Sequence, residues 1–106
     1  MKKILAIAAL VCTSAHADFR DGNKLLAEMR GTTFEQGMSL GYVMAVADAG
    51  GGINHCIPAT VTAGQIQDMT RNMLDKTPAV RHLPASLIIE YVLKDVWPCS
   101  KKGSSL

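Results

Sequence analysis

Apolar and polar residues recur along most of the chain with the period of an α-helix, and capping residues and helix breakers divide this pattern into four segments. Asp21 is a good N-cap for a first helix that stops near Gly31. Thr32 and Glu35 have the spacing of a capping box, which predicts a second helix that runs to the glycines at 50–52. No segment alternates with period two, so the pattern predicts an all-α fold.

The third and fourth predicted helices follow the glycine-rich connection, and together the four form a small compact bundle. Thr62 and Gln65 have a second capping-box spacing, and the helix that they open ends at Thr77-Pro78, before a short helical turn. The fourth helix starts at Pro84, because a proline in the first turn loses no hydrogen bond, and Pro98 stops it. The predicted apolar faces are Ile66, Met69, Met73 and Leu74 on the third helix and Leu87, Ile88, Tyr91, Val92 and Val96 on the fourth, with Glu90 and Lys94 paired outside.

Small residues recur at every fourth position of the second predicted helix, at Gly37, Gly41, Ala45 and Ala49. This spacing puts them on one stripe, which lets another helix approach closely. We expect the stripe to pack inside the domain, so that a bulky residue at Gly41 would destabilise the fold, and a homodimer seam is the alternative. A membrane span is disfavoured, because the apolar run is short and Asp48 interrupts it.

The N-terminus has the order of a secretory signal peptide. Lys2 and Lys3 supply a basic start, Ile4 to Val11 form an apolar run that is too short to span a bilayer, and Ala15-His16-Ala17 offers the small residues that a signal peptidase requires. Cleavage after Ala17 would leave a single domain of residues 18–106 with a short disordered C-terminal tail. The style of the signal is bacterial, which predicts that the mature protein is periplasmic.

The cysteines divide between the signal and the mature domain. Cys12 could indicate a lipoprotein, but the preceding Ala9-Leu10-Val11 lacks the leucine and the small residue that lipidation needs, so Cys12 is expected to leave with the signal. The remaining pair, Cys56 and Cys99, predicts a disulfide in a small exported domain. On the chain-entropy model this bond would stabilise the fold by roughly 3–4 kcal/mol.

The net charge of the chain comes from the signal. The chain has eleven basic and nine acidic residues, and two of the basic ones, Lys2 and Lys3, lie in the signal, so the mature domain is formally neutral. A neutral domain without a stripe of Lys and Arg has no electrostatic surface for nucleic acid. The core is thin, since the chain holds only two Tyr, two Phe and one Trp, and a covalent crosslink is then physically useful.

No combination of residues predicts catalysis, a metal or another cofactor. His55 beside Cys56 could suggest a base next to a thiol, but adjacent residues rarely face each other for proton transfer. His82 and Cys99 would complete a set of zinc-ligand types, yet the chain has no CxxC or HxxxH pair. The methionines could suggest copper, but Met at helical spacing in an aromatic-poor core is more typical of a gap filler. We therefore expect a binding protein and not an enzyme.

Several segments, in order along most of the mature chain, resemble one protein family. They are GYVMAVADA at 41–49, CIPATVTAGQIQDM at 56–69, PAVRHLPA at 78–85 and WPC at 97–99. Together they resemble the Rap/Tai family of immunity proteins, which are small, all-helical periplasmic proteins of Gram-negative bacteria. The resemblance implies that the partner is a peptidoglycan amidase toxin delivered by type VI secretion.

The resemblance also implies roles for individual cysteine positions. Cys56 and Cys99 take the places of half-cystines of the family. Many members carry two further cysteines, whose places are held here by Met29 and Met38. An apolar contact is therefore expected instead of a second bridge, and the N-terminal helix would be held less closely.

Two classes of function remain open at this point. In the first, the protein is an immunity protein that occludes the active-site groove of an amidase, which requires shape and a few polar anchors but no catalytic group. In the second, it is a periplasmic chaperone of the acid-stress type, or an envelope binding protein without a toxin partner. The nine carboxylate residues are matched by basic ones in the mature domain, so no pronounced acid-triggered change of charge stands out.

The candidate partner-binding residues are Arg81 and His82, in the connection between Pro78 and Pro84. A loop bounded by two prolines is stiff and loses little entropy on binding, and a planar cation suits recognition of polar groups in a groove. The alternative is an ordinary turn, in which Arg81 is solvated and His82 caps the preceding short helix. The connection at 50–55 is the second candidate surface.

Overall fold

Four helices, α1 (Gly22–Met29), α2 (Thr33–Gly50), α3 (Ala63–Lys76) and α4 (Ala85–Val96), make up most of residues 19–100, which this computed structural model describes. A single 3-10 turn, Pro78–Val80, precedes α4. Each of the four helices contacts the other three, and between positions 19 and 100 there are only isolated β-bridges and no strand. The predicted all-α bundle of four helices with a short helical turn is confirmed.

The signal segment 1–17 and the tail from 101 onward lie outside the described residues. Cleavage after Ala17, the fate of Cys12 and the disorder of the tail therefore stay predictions.

The helix starts follow the capping signals in the sequence. The Asp21 side chain accepts a hydrogen bond of 2.8 Å from the backbone N–H of Lys24 at the start of α1. In α2 the backbone N–H of Thr32 donates to the Glu35 carboxylate at 2.9 Å, and the Thr32 hydroxyl accepts from the backbone N–H of Glu35. The same reciprocal pair forms at Thr62 in α3. These side chains satisfy backbone groups that have no partner within the helix.

The core lies where all four helices meet. Its centre is aliphatic, and its members are Leu25, Leu26, Met29, Val43, Ala47, Ile66, Leu74, Ala85, Ile88, Ile89 and Leu93. Trp97 and Tyr42 pack against this cluster and are partly buried. The interior is therefore built mainly from leucine and isoleucine, as expected for a chain with few aromatic residues.

The predicted buried face of α4 is partly wrong. Ile88 is buried, as expected, but Leu87 and Tyr91 are 59% and 60% exposed. Ile89 and Leu93, which the pattern did not assign to the core, are fully buried. Since α4 is apolar around most of its circumference, its sequence alone did not define which side meets the other helices.

The predicted packing of the small-residue stripe of α2 is also wrong. Gly37, Gly41, Ala45 and Ala49 are all exposed, and a methyl group added at either glycine would meet no atom within 4 Å. Val43 lies on the side of α2 that faces the core, together with Ser39, Ala47 and Gly50. The helix has small or apolar residues on both sides, so spacing could not distinguish them. Among residues 19–100 no helix is both long enough and apolar enough to cross a bilayer.

The first helix is held by an ion pair as well as by apolar contacts. Arg20 donates to both carboxylate oxygens of the buried Glu28, at 2.7 and 3.2 Å, and its guanidinium lies over the ring of Tyr42. The hydrogen bond to Glu28 raises the pKa of Arg20 above its ordinary value, against the opposing effect of desolvation. Met29 is buried, whereas Met38 is 41% exposed. Arg20 thus links α1, through Glu28, to the Tyr42 ring of α2.

A disulfide joins Cys56, which follows α2, to Cys99, which follows α4, with 4.8 Å between the Cα atoms. The predicted pairing is confirmed. The backbone N–H of Cys56 also donates to the Trp97 carbonyl at 2.8 Å. The connection after α2 and the end of α4 are therefore tied covalently and by a hydrogen bond.

Removal of the disulfide should take a large share of the stability of the domain. Replacing both Cys56 and Cys99 with serine removes a link between residues 43 positions apart, which is worth roughly 3–4 kcal/mol of a total of about 5–10 kcal/mol. Urea unfolding followed by circular dichroism measures this loss in the double variant. An unchanged unfolding free energy would contradict the expectation, and two free thiols in the oxidised protein, detected by alkylation and intact mass, would contradict the bond.

Candidate functional site

The histidine, cysteine and carboxylate side chains of the described residues do not form a cluster that could hold a metal ion. Between positions 19 and 100, no three or more His, Cys, Asp or Glu side chains come together as potential metal ligands. Cys56 is bonded to Cys99, so it carries no thiol beside His55.

The guanidinium of Arg81, one of the two candidate partner-binding residues, binds the carboxyl end of α3. Its Nε donates to the Leu74 carbonyl at 2.7 Å, and Nη2 donates to the Asp75 carbonyl at 3.1 Å. The last carbonyls of a helix lack partners within it, and a cation there also meets the negative end of the helix dipole. Arg81 therefore caps α3. The sequence had suggested a different cap, in which His82 caps the short helical turn.

The backbone around Arg81 holds the start of α1. The N–H groups of Asn23 and Gly22 donate to the carbonyls of Arg81 and Leu83, at 2.9 and 3.0 Å. A methyl group on Gly22 would lie 2.9 Å from the Arg81 carbonyl oxygen, so the close approach requires glycine. The segment is thus fixed from two sides, and His82 is exposed on it.

The second candidate surface is the exposed loop Gly51–Asn54, which follows α2. The Gly50 carbonyl accepts hydrogen bonds from the N–H groups of Ile53 and Asn54, at 3.0 and 2.8 Å. Gly52 has a φ of 80°, which favours glycine because other residues rarely adopt this backbone conformation. These contacts close the loop tightly and leave the Ile53 side chain 77% exposed.

His55 forms the base of this loop and is fully buried. Its Nδ1 lies 2.9 Å from a carboxylate oxygen of Glu90, and its Nε2 lies 2.8 Å from the Ala47 carbonyl oxygen. Its own carbonyl accepts from the N–H of Gly52 at 2.8 Å. Glu90 therefore pairs with His55, and the predicted pairing with Lys94 is wrong.

The pair of His55 and Glu90 was missed at the level of sequence. One signal was available, because Glu90 is the only charged residue within the apolar run 87–93 of a helix. A carboxylate flanked in this way needs a hydrogen-bonding partner if that side of the helix is covered. The partner, His55, lies 35 positions before Glu90, and no sequence pattern around it indicates this contact.

A third surface is an apolar groove between α3, the 3-10 turn and α4, with a volume of about 310 Å³. Leu87 and Tyr91, which the sequence placed in the core, form one wall of the groove, and Met73 and Val80 contribute to the other side. The groove is open, and an apolar surface of this kind can contribute to contact with another protein.

Comparison with known proteins identifies one family. The sequence model of the Rap1a immunity proteins matches residues 21–99, which span all four helices and both cysteines of the disulfide. Among curated proteins, none matches the chain.

Arg81→Ala should lower the melting temperature, whereas His82→Ala should leave it nearly unchanged. The first change leaves two carbonyls of α3 without their donor, at a cost of about 1–2 kcal/mol, and the second removes an exposed side chain. Arg81→Lys should fall between them, because an ammonium group cannot reproduce the planar fork of the guanidinium. Thermal unfolding of the three variants measures the order, and equal values for Arg81→Ala and wild type would contradict the capping role.

Proposed function

The chain belongs to the family of Rap1a immunity proteins, and from this premise we propose that it neutralises a peptidoglycan amidase delivered by type VI secretion. An immunity function against a toxin is what membership of the family implies. The observation that carries the proposal is the match over residues 21–99, which agrees with the resemblance of four sequence segments to immunity proteins against amidases.

The proposed site of action is the periplasm. Peptidoglycan lies there, so an amidase has to be blocked in that compartment. The signal pattern at 1–17 supports export, and the disulfide between Cys56 and Cys99 suits an oxidising compartment.

We propose that inhibition is steric and that the loop Gly51–Asn54 enters the groove of the amidase. Ile53 is the most exposed large aliphatic residue of the described residues and lies within this loop. The loop is closed by the Gly50 carbonyl, and the disulfide at Cys56 fixes the chain just beyond it. A loop that is already ordered loses little conformational entropy when a partner binds.

The residues Arg81 and His82 remain a proposed second contact. Within this pair His82 is the better candidate for direct contact, because its side chain is exposed while the guanidinium of Arg81 is bound to α3. Arg81 would then act by fixing the backbone that presents His82.

The test begins with the genes beside that of this protein, where the proposed function predicts a gene for a peptidoglycan amidase, and it uses the product of that gene. Purified wild-type protein should stop that amidase from hydrolysing isolated peptidoglycan, and Ile53→Asp should weaken binding by about 2 kcal/mol or more in calorimetric titration. Leu87→Asp is the matched control, because Leu87 is an exposed aliphatic residue elsewhere on the surface. His82→Ala measures the second contact.

Different outcomes separate the parts of this proposal. Unaltered hydrolysis in the presence of an excess of wild-type protein would contradict inhibition of this amidase. Inhibition that is lost in Leu87→Asp but kept in Ile53→Asp would move the contact to the apolar groove beside α4.

We also propose that a second copy of the chain packs on the exposed small-residue stripe of α2. Gly37, Gly41 and Ala45 allow close approach of a helix, and the neighbouring Phe34 and Met38 are 74% and 41% exposed. Aromatic residues and methionine are enriched at protein interfaces. Within the described part of the chain no helix packs on the stripe, so the stripe is accessible to a second copy of the chain.

Gly41→Leu should convert the dimer into a monomer without unfolding the subunit. The added side chain enters open space in the isolated subunit, because no atom lies within 4 Å of a methyl group built there, but it would separate two helices across a seam. Sedimentation velocity over a range of concentrations measures the association, with circular dichroism as the check of folding. Gly64→Leu, at an exposed helical glycine of α3, is the control. Equal association of Gly41→Leu and wild type, or a wild type that is monomeric throughout, would contradict the seam.

A further inference from the structure

The imidazole of His55 has hydrogen-bond acceptors on both sides. Nδ1 faces a carboxylate oxygen of Glu90 at 2.9 Å, and Nε2 faces the carbonyl oxygen of Ala47 at 2.8 Å. A carbonyl oxygen only accepts, and an ionised carboxylate only accepts. A neutral imidazole carries one N–H and can donate to one of the two, which would leave a ring lone pair directed at the oxygen of the other.

We propose that His55 and Glu90 hold one proton more than a neutral imidazole and a carboxylate carry, and that this protonated pair positions the loop Gly51–Asn54 for contact with the toxin. The extra proton lies between Nδ1 and Oε1, and both hydrogen bonds of the ring are then satisfied. His55 and Glu90 are positioning residues in this proposal, because neither is expected to touch the toxin itself. The contact with the toxin rests on the proposed function, whereas the protonated pair does not.

The surroundings of His55 favour the protonated arrangement. The ring is fully buried, and Glu90 of α4 is the charged group that contacts it. From α2 it meets the Ala47 carbonyl, in the last turn of the helix, where the helix dipole is negative. Asp48, the titratable group in the same turn, is exposed. A buried lone pair facing a carboxylate would be costly, while the shared proton converts the same contact into a charge-assisted hydrogen bond.

The pair controls the loop because His55 is the residue at which the loop closes. The His55 carbonyl accepts from the N–H of Gly52 at 2.8 Å, so the ring and the loop are joined through one residue. Gly50, at the other end, would place a methyl group 2.8 Å from the His55 ring and still closer to the Glu90 carboxylate, and only glycine leaves room for the pair. Release of the ring would therefore free one end of the loop.

The first test measures protons directly in the protein alone. Long-range ¹H–¹⁵N spectra should show both ring nitrogens of His55 protonated, or ¹³C spectra should show the Glu90 carboxyl group protonated. An unprotonated Nδ1 beside an ionised Glu90 overturns the proposal.

The second test uses Glu90→Gln, which carries no charge and cannot hold the shared proton. Asp95→Asn is the matched control, since Asp95 is an exposed carboxylate on the same helix. We expect the loop amides to exchange about tenfold faster in Glu90→Gln than in the control. We expect its affinity for the amidase of the inhibition test to fall by about tenfold, whereas the control retains wild-type affinity.

The outcomes distinguish the two levels of the proposal. Equal loop exchange in Glu90→Gln and Asp95→Asn overturns the role of the pair in ordering the loop. Faster exchange with unchanged affinity overturns its role in positioning the loop for the toxin. Failure of wild type itself to bind the amidase overturns the proposed function and the toxin contact together, while the spectra and the loop exchange still decide the protonated pair.

Discussion

The disulfide between Cys56 and Cys99 is the constraint on which the arrangement of this domain depends. A domain of this size buries a modest amount of apolar surface, and its core is aliphatic with few aromatic residues. The crosslink joins the connection after α2 to the chain just after α4, two helices that pack against each other. It therefore limits the conformations of the unfolded chain, and in the folded domain it holds in place the chain just beyond the end of the exposed loop. One covalent bond therefore contributes both to the stability of the domain and to the position of the loop.

Three polar side-chain contacts organise the parts that the core does not reach. Glu28 binds Arg20 and anchors the start of the domain, Arg81 binds the last carbonyls of α3, and His55 lies between Glu90 and the end of α2. Each contact satisfies groups that would otherwise lose hydrogen bonds on burial. Because each joins a connection to a helix, the connections are ordered although they contain little apolar surface of their own.

The surface that results suits a protein whose activity is binding. Ile53 projects from an ordered loop, Leu87 and Tyr91 line an open groove, and one side of α2 is a stripe of small residues. These features lie on different elements of the fold, so the proposed contacts with a toxin and with a second copy of the chain would use separate surfaces.

The sequence by itself determined the local structure and the family. Capping residues such as Thr32 and Thr62 act through neighbouring backbone groups, so their spacing was sufficient to locate the helix starts. Cys56 and Cys99 were the two cysteines expected in the mature domain, and this was sufficient to predict the disulfide. Only the tertiary structure decided which side of each apolar helix is buried. In α2 and α4 apolar or small residues occur on most sides, so the choice depends on the shapes of the neighbouring helices and not on periodicity. The same holds for the contacts that define the candidate site. Glu90 was predicted to pair with Lys94, four positions away, and it instead contacts His55, 35 positions away. Only folding brings this histidine close to the carboxylate.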